Sequence, residues 1–159
     1  MLESVNLQAK TSAEIGTISL WYFDRDFNGL KTRALFHKIE VPLAKFKPGL
    51  VVYPEPIKTQ ISMDWIELKL EDPTDLDGIN ISSFSVLDDE DWETEIDVAI
   101  YLGNAHNPCD IQNLTLRRLA KYRYHIDCIL LVDFQHEDVA QNEKFNFQSE
   151  LILNPIIKG

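Results

Sequence analysis

Apolar and polar residues alternate along three stretches of this chain, residues 93–102, 122–134 and 144–153. A period of two is typical of strands that bury one face and leave the other in water. A polar stretch, residues 136–142, separates the second and third of these segments, so we predict that they form a hairpin. In the third segment the residues predicted to face inward are Phe145, Phe147, Leu151 and Leu153.

Shorter patterns add further strands. Residues 17–22 alternate as well, and the strand they predict ends before Asn28-Gly29, a dipeptide typical of tight hairpin turns. Between residues 61 and 70 the apolar positions change phase. A β-bulge explains this change, because one extra residue reverses the facing of every residue after it.

Residues 110–122 fit two patterns. Ile111 and Leu114 have helical spacing, and Asp110 is a suitable N-cap, whereas Leu114 and Leu116 also fit a strand. We therefore predict a mostly β fold, an antiparallel sandwich or open barrel with at most one or two short helices. An α+β fold is the alternative if 110–122 is helical.

The 159 residues predict one domain, because the chain contains no internal repeat and no Gly- or Ser-rich linker. For residues 1–14 the sequence allows two interpretations, a flexible N-terminal arm or an edge element. Prolines flank Leu50–Tyr53 and make it an edge strand at best. Oligomerisation through that edge is one alternative, and the sequence does not decide the oligomeric state.

Charge is unevenly distributed along the chain. The net charge is −11, yet residues 64–97 contain thirteen acidic residues and one basic residue, Lys69, and carry −12. Such an excess of acid disfavours nucleic acid as a partner, because binding to phosphates depends on Lys and Arg. A basic cluster formed by Arg117, Arg118, Lys121 and Arg123 is one alternative, since it could neutralise the acidic stretch within the fold.

The densest part of the acidic stretch surrounds a tryptophan. We predict that it binds a basic partner, because acidic side chains steer association and aromatic residues anchor interfaces. The simpler interpretation is a solvated loop whose tryptophan folds back onto the core. The predicted partner-binding residues are Asp88, Asp89, Glu90, Asp91, Trp92, Glu93, Glu95 and Asp97.

Asp24, Asp26 and Asn28 match the first half of a calcium-binding loop. The second half fails, because Leu35 stands where a bidentate acid is needed. Calcium is therefore the one cofactor that we keep, against the alternative of a plain Asx-rich hairpin turn.

Motifs for catalysis are absent from the sequence. Cys109 and Cys128 are the only cysteines, and Cys128 falls on the apolar face of its predicted strand, where a thiol is usually an inert filler. A pair of carboxylates near His125 or His136 would suit a hydrolase, but any acidic chain offers such pairs by chance. We therefore favour a protein that is not an enzyme.

The function most consistent with these patterns is that of an inhibitor or immunity-type protein, which neutralises a basic toxin or enzyme through its acidic surface. The alternatives are a calcium- or ligand-binding accessory β-sandwich and a hydrolase with an unrecognised carboxylate pair. No secretory signal opens the sequence and no apolar run suits a bilayer, so we expect a cytoplasmic protein without a membrane partner.

Overall fold

Eight strands lie within residues 2–82 and 96–159, which are the residues that the computed structural model describes. In chain order they are β1 (Gly16–Phe27), β2 (Leu30–Pro42), β3 (Gln60–Ile66), β4 (Asn80–Ser82), β5 (Asp97–Leu102), β6 (Ala105–Ala120), β7 (Arg123–Val132) and β8 (Glu143–Lys158). Asn28 and Gly29 have φ values of 52° and 79°, and positive φ at both positions is what a type I′ turn requires. The predicted Asn-Gly turn is confirmed.

One sheet contains all eight described strands, in the order β4-β6-β5-β3-β2-β1-β8-β7, and a second pairing of β6 with β7 closes seven of them into a barrel. All neighbours are antiparallel except β1 and β8, which are parallel. A closed ring with an odd number of strands cannot alternate direction all the way round, so at least one parallel pair is unavoidable. The prediction of a mostly β fold is confirmed, and the barrel is closed.

The core fills the inside of the barrel with the residues that the period of two placed there. β7 and β8 bury alternate side chains and form the hairpin, as predicted. Of the strand predicted at 93–102, residues 93–95 lie outside the described residues, and β5 buries Val98, Ile100 and Leu102 as predicted but also Ala99. Tyr124 and Phe145 are fully buried aromatic side chains of this core. The Tyr124 hydroxyl donates to the Thr74 carbonyl and accepts from the Leu76 backbone N–H, which fastens the segment before β4 to the barrel.

Residues 110–122 are not helical. Most of them belong to β6, so of the two patterns the strand is the one that forms, and the α+β alternative is wrong. The register between β6 and β7 shifts between Ile111 and Asn113, which marks a bulge. This bulge brings Ile111 and Leu114 to the same buried face although they are three residues apart, and it thereby imitates helical spacing.

Residues 2–14 pack on the barrel. Val5 and Leu7 are fully buried, and the short helix α1 (Leu7–Lys10) follows. The Glu143 carboxylate accepts the backbone N–H groups of Asn6 and Leu7 at 2.9 and 2.6 Å. The N-terminal segment is therefore docked on the barrel.

Among the described residues no helix is long and apolar enough to cross a membrane.

Leu50–Tyr53 does not form the expected edge strand. The segment contains a bend, with Leu50 buried and Val51 among the most exposed apolar residues described. A bridge between Phe46 and Ile57 closes the loop around it. Oligomerisation through a strand edge at this position therefore loses its structural basis.

Candidate functional site

Most of the predicted contact surface lies outside the described residues. This applies to Asp88, Asp89, Glu90, Asp91, Trp92, Glu93 and Glu95. Asp97, the last residue of the acidic run, is exposed and begins β5, where it lies directly opposite Asp64 of β3. Residues opposite each other on neighbouring strands share a face, so both carboxylates belong to the outer surface of the barrel.

The acids that precede the run are partly neutralised within the fold. Asp64 lies 3.3 Å from the Lys38 ammonium, Glu67 pairs with Arg25, and Asp75 lies 2.7 Å from Arg118. Cations of the barrel thus compensate three of the acidic residues that precede position 88. Between positions 88 and 97 the sequence contains seven acidic residues and no basic one.

The basic cluster takes part in this compensation through one of its members. Arg118 pairs with Asp75, and its backbone N–H donates to the Asp77 carboxylate at 2.8 Å. A hydrogen bond with Tyr124 and the charge of Asp75 raise the pKa of Arg118 above its ordinary value. Arg123, in contrast, forms a two-pronged contact with Glu150 at 3.0 and 2.7 Å. Internal neutralisation therefore occurs at Asp64, Glu67 and Asp75 of the acidic stretch.

A groove of about 280 Å³ lies on the outer face of β1, β2 and β3, and we call it the aromatic groove. Its lining residues are Trp21, Phe23, Phe36, His37, Lys38, Asp64 and Trp65. The Trp65 ring lies 4.5 Å from Phe23 and 5.3 Å from Phe36, and Trp21 stacks on Phe23 at 6.3 Å. Four aromatic rings thus form one continuous surface.

A β-bulge turns Trp65 towards this groove. Between the pairs His37–Ile66 and Ile39–Met63, β3 contains one residue more than β2, which confirms the bulge predicted for residues 61–70. Trp65 has a φ of 63°, a left-handed conformation that is costly for a bulky side chain. Strain of this kind persists only where the surrounding structure enforces it, and it is often found at functional sites.

Charged side chains surround the aromatic groove. Arg25 stacks over the Phe36 ring at 5.1 Å, and Lys158 stacks over Trp21 at 5.0 Å. Lys38 contacts both Glu40, at 3.4 Å, and Asp64. Partial burial favours a lower pKa for Lys38, but the charges of Asp64 and Glu40 outweigh it and raise that pKa above its ordinary value. Lys38 therefore stays charged and paired.

His37 contributes to the groove wall, but its side chain belongs to the inner face, because it lies opposite the buried Leu20. Its Nε2 lies 2.7 Å from the Pro73 carbonyl, so this nitrogen donates the hydrogen bond. Its Nδ1 is buried and has no hydrogen-bond partner among the described residues. Burial lowers the pKa of His37 and outweighs the opposing effect of the Pro73 carbonyl, so the ring is neutral at pH 7.

The residues suggested for calcium lie on the β1–β2 hairpin. Asp24 and Asp26 belong to a regular part of β1, directly opposite Arg33 and Lys31 of β2, and Asn28 occupies the turn. A strand spaces alternate carboxylates about 7 Å apart along one face, whereas a calcium loop folds its oxygens around the ion. Within residues 2–82 and 96–159, no group of three or more His, Cys, Asp and Glu side chains is arranged to hold a metal.

Both cysteines are buried inside the barrel and are not joined by a disulfide. Burial raises the pKa of Cys128 to about 12 and that of Cys109 further still. Because the thiolate is the reactive form, neither thiol is suited to act as a nucleophile near neutral pH. This agrees with the interpretation of Cys128 as a filler of the core.

Sequence patterns alone did not reveal the aromatic groove. The available signal was the position of Trp21 and Phe23 on the face of β1 that also carries Thr17 and Ser19, where polar residues are expected. The contributions of Phe36 and Trp65 depend on strand pairing and on the bulge, neither of which can be read from one segment.

Comparison with known proteins does not add a relative: no protein-family model, no curated protein and no solved structure matches this chain. The functional argument therefore depends on the geometry and charge of the residues described above.

Proposed function

We propose that this protein is not an enzyme and that it acts by binding a basic protein, as an inhibitor or immunity-type protein does. The observation that carries the proposal is the pairing of Asp97 with Asp64. Asp97, the last residue of the acidic run, thereby lies beside the aromatic groove, which Asp64 lines. A charged segment next to partly exposed aromatic rings combines steering with anchoring.

A cytoplasmic location is part of the same proposal. Two buried thiols without a disulfide suit a reducing compartment. A cytoplasmic binding protein of this charge would meet a basic toxin or enzyme before it reached its target, and electrostatic attraction would speed that encounter.

The test is affinity capture from the native host with the intact chain, at low and at high salt. We expect a basic protein to be captured at low salt and to be lost both at high salt and with the triple variant Asp89→Asn/Asp91→Asn/Glu93→Gln. A matched control, Glu55→Gln/Asp110→Asn/Asp138→Asn, removes the same charge from exposed positions elsewhere. It should retain the captured protein. Salt-insensitive capture, or equal loss with both variants, would contradict the proposal.

A further inference from the structure

We propose that the aromatic groove binds an arginine side chain of the basic partner, with the guanidinium stacked on Trp65 and Phe23 and hydrogen-bonded to Asp64. This inference rests on the proposed function and names the part of the partner that the groove recognises. It is carried by the cations already bound on this surface, by the exposure of the two rings and by the charge around them.

The protein's own cations show what this aromatic surface attracts. Arg25 occupies a face of Phe36, and Lys158 occupies a face of Trp21. Among the described residues no cation stacks on Phe23 or Trp65, which are also the more exposed rings of the cluster, at 38% and 40%. Two neighbouring rings are therefore available to a cation supplied from outside.

At the polar edge of the groove, the Asp64 carboxylate suits a cationic hydrogen-bond donor. Lys38 approaches Oδ1 of Asp64 at 3.3 Å, and within the described part of the chain it is the one cation that pairs with Asp64. Carboxylates of four residues, Glu40, Asp64, Glu67 and Asp97, face three cations, Arg25, Lys38 and Lys158, around the groove. The described carboxylates therefore outnumber the cations around the groove, and the local charge favours a cationic occupant.

Arginine fits this arrangement better than lysine. A guanidinium is planar, is weakly hydrated and donates in a fixed fork, so it can stack on a ring and bind a carboxylate at the same time. An ammonium is compact and strongly hydrated, and it loses more of its hydration in an aromatic groove. The groove, at about 280 Å³, has room for one such side chain with its stem, not for a folded element.

The test uses three amidated tripeptides as probes: triarginine, trilysine and tricitrulline, which keeps the shape of arginine without the charge. Each is titrated into the intact protein while the indole N–H signal of Trp65 is followed by NMR, and for Trp65→Ala the indole N–H signal of Trp21, which also lines the groove, is followed instead. We expect saturable shifts with triarginine, weaker binding of trilysine and no saturable binding of tricitrulline. Trp65→Ala and Asp64→Asn should each weaken triarginine binding by about tenfold, a loss typical of an anchoring contact.

Two further variants make the outcome decisive. Phe23→Ala tests the other exposed ring if Trp65→Ala fails to fold, and Tyr101→Ala removes an exposed aromatic side chain outside the groove. Tyr101→Ala should bind triarginine as the unaltered protein does. Binding of tricitrulline equal to that of triarginine, equal loss in the Tyr101 variant, or self-association that depends on Trp65 would each overturn the inference.

Failure here is distinguishable from failure of the proposed function. If capture of a basic protein depends on the acidic run but is unchanged by Trp65→Ala and Phe23→Ala, the protein binds a basic partner without using the groove. If no basic protein is captured but triarginine binds at Trp65, the proposed function fails. The assignment of the groove's ligand to an arginine of a basic partner then fails too, whereas the preference of the groove for a guanidinium group is retained.

Discussion

The Trp65 ring lies 4.5 Å from the Phe23 ring on the outer face of the barrel, although Trp65 is two residues after the inward-facing Met63. A regular strand would direct both Met63 and Trp65 inward. The bulge in β3 separates them, and its cost is the left-handed backbone of Trp65. Because of this bulge, Trp65 lines the aromatic groove on the outer face and does not face the core.

This backbone conformation makes an unusual prediction for two substitutions. Trp65→Gly should be more stable than Trp65→Ala by roughly 0.5–1 kcal/mol, because glycine adopts a positive φ without strain and alanine does not. Urea unfolding at pH 7 measures the difference. At Tyr101 of β5, which does not have a positive φ, the order should reverse. The same order at both positions would contradict the assigned strain.

Gly16 lies where β1, β2 and β8 meet, and it has no room for a side chain. An added Cβ would lie 2.8 Å from the Leu151 side chain and closer still to the Glu40 carbonyl. Gly16→Ala should therefore lower the free energy of unfolding by about 1–3 kcal/mol through overpacking. Gly78→Ala is a useful comparison, since nothing lies within 4 Å of its added Cβ and its cost comes from the positive φ of 81° alone. We expect the Gly16 variant to be the less stable of the two, and the reverse order would show that the strands can separate at little cost.

His37 predicts a loss of stability at acid pH. Burial lowers its pKa in the folded protein, whereas in the unfolded chain it titrates near its ordinary value of about 6.5. The unfolded chain therefore takes up a proton first, and stability falls as the pH drops from about 6.5 to the lower folded value. His37→Gln keeps a donor for the Pro73 carbonyl but has no titrating group.

The measurement is the free energy of unfolding at pH 7.5 and at pH 5.5 for both proteins. We expect the unaltered protein to lose more stability between these pH values than His37→Gln does, by at most about 1.4 kcal/mol for each pH unit below 6.5. Parallel pH profiles would mean that His37 takes up its proton equally readily in both states.

The two buried thiols should resist modification in the folded protein. With the pKa of Cys128 raised to about 12 and its side chain inaccessible, Ellman's reagent at pH 8 should react only as fast as the barrel opens. The guanidinium-unfolded chain, in which both thiols are exposed, provides the reference rate. Native labelling as fast as this reference would contradict the burial of Cys109 and Cys128.

Calcium should have little effect on this fold. Asp24 and Asp26 lie opposite Arg33 and Lys31, so cations already occupy the facing strand. We expect millimolar calcium to leave the melting temperature unchanged. A rise in Tm that disappears in the variant Asp24→Asn/Asp26→Asn would instead establish the calcium site that the sequence suggested.

Local sequence patterns alone determined individual strands, their buried faces, a turn and a bulge. The alternation in 144–153 defined a strand and its buried face, and Asn28-Gly29 defined a hairpin turn. The period of two and the turn chemistry depend only on neighbouring residues, so one segment is sufficient to recognise them. The phase change in 61–70 likewise predicted a bulge before any pairing was known.

Only the tertiary structure decided how these strands pair and which side chains their pairing brings into contact. The register of β6 with β7 shows that residues 110–122 contain a strand with a bulge. Closure of the seven-stranded ring requires at least one parallel pair, and this pair is β1 with β8. Register likewise brought Phe36 and Trp65 to Phe23 and placed Asp97 opposite Asp64. These contacts join residues far apart in the chain, and their energies depend on pairing and packing that no single segment encodes.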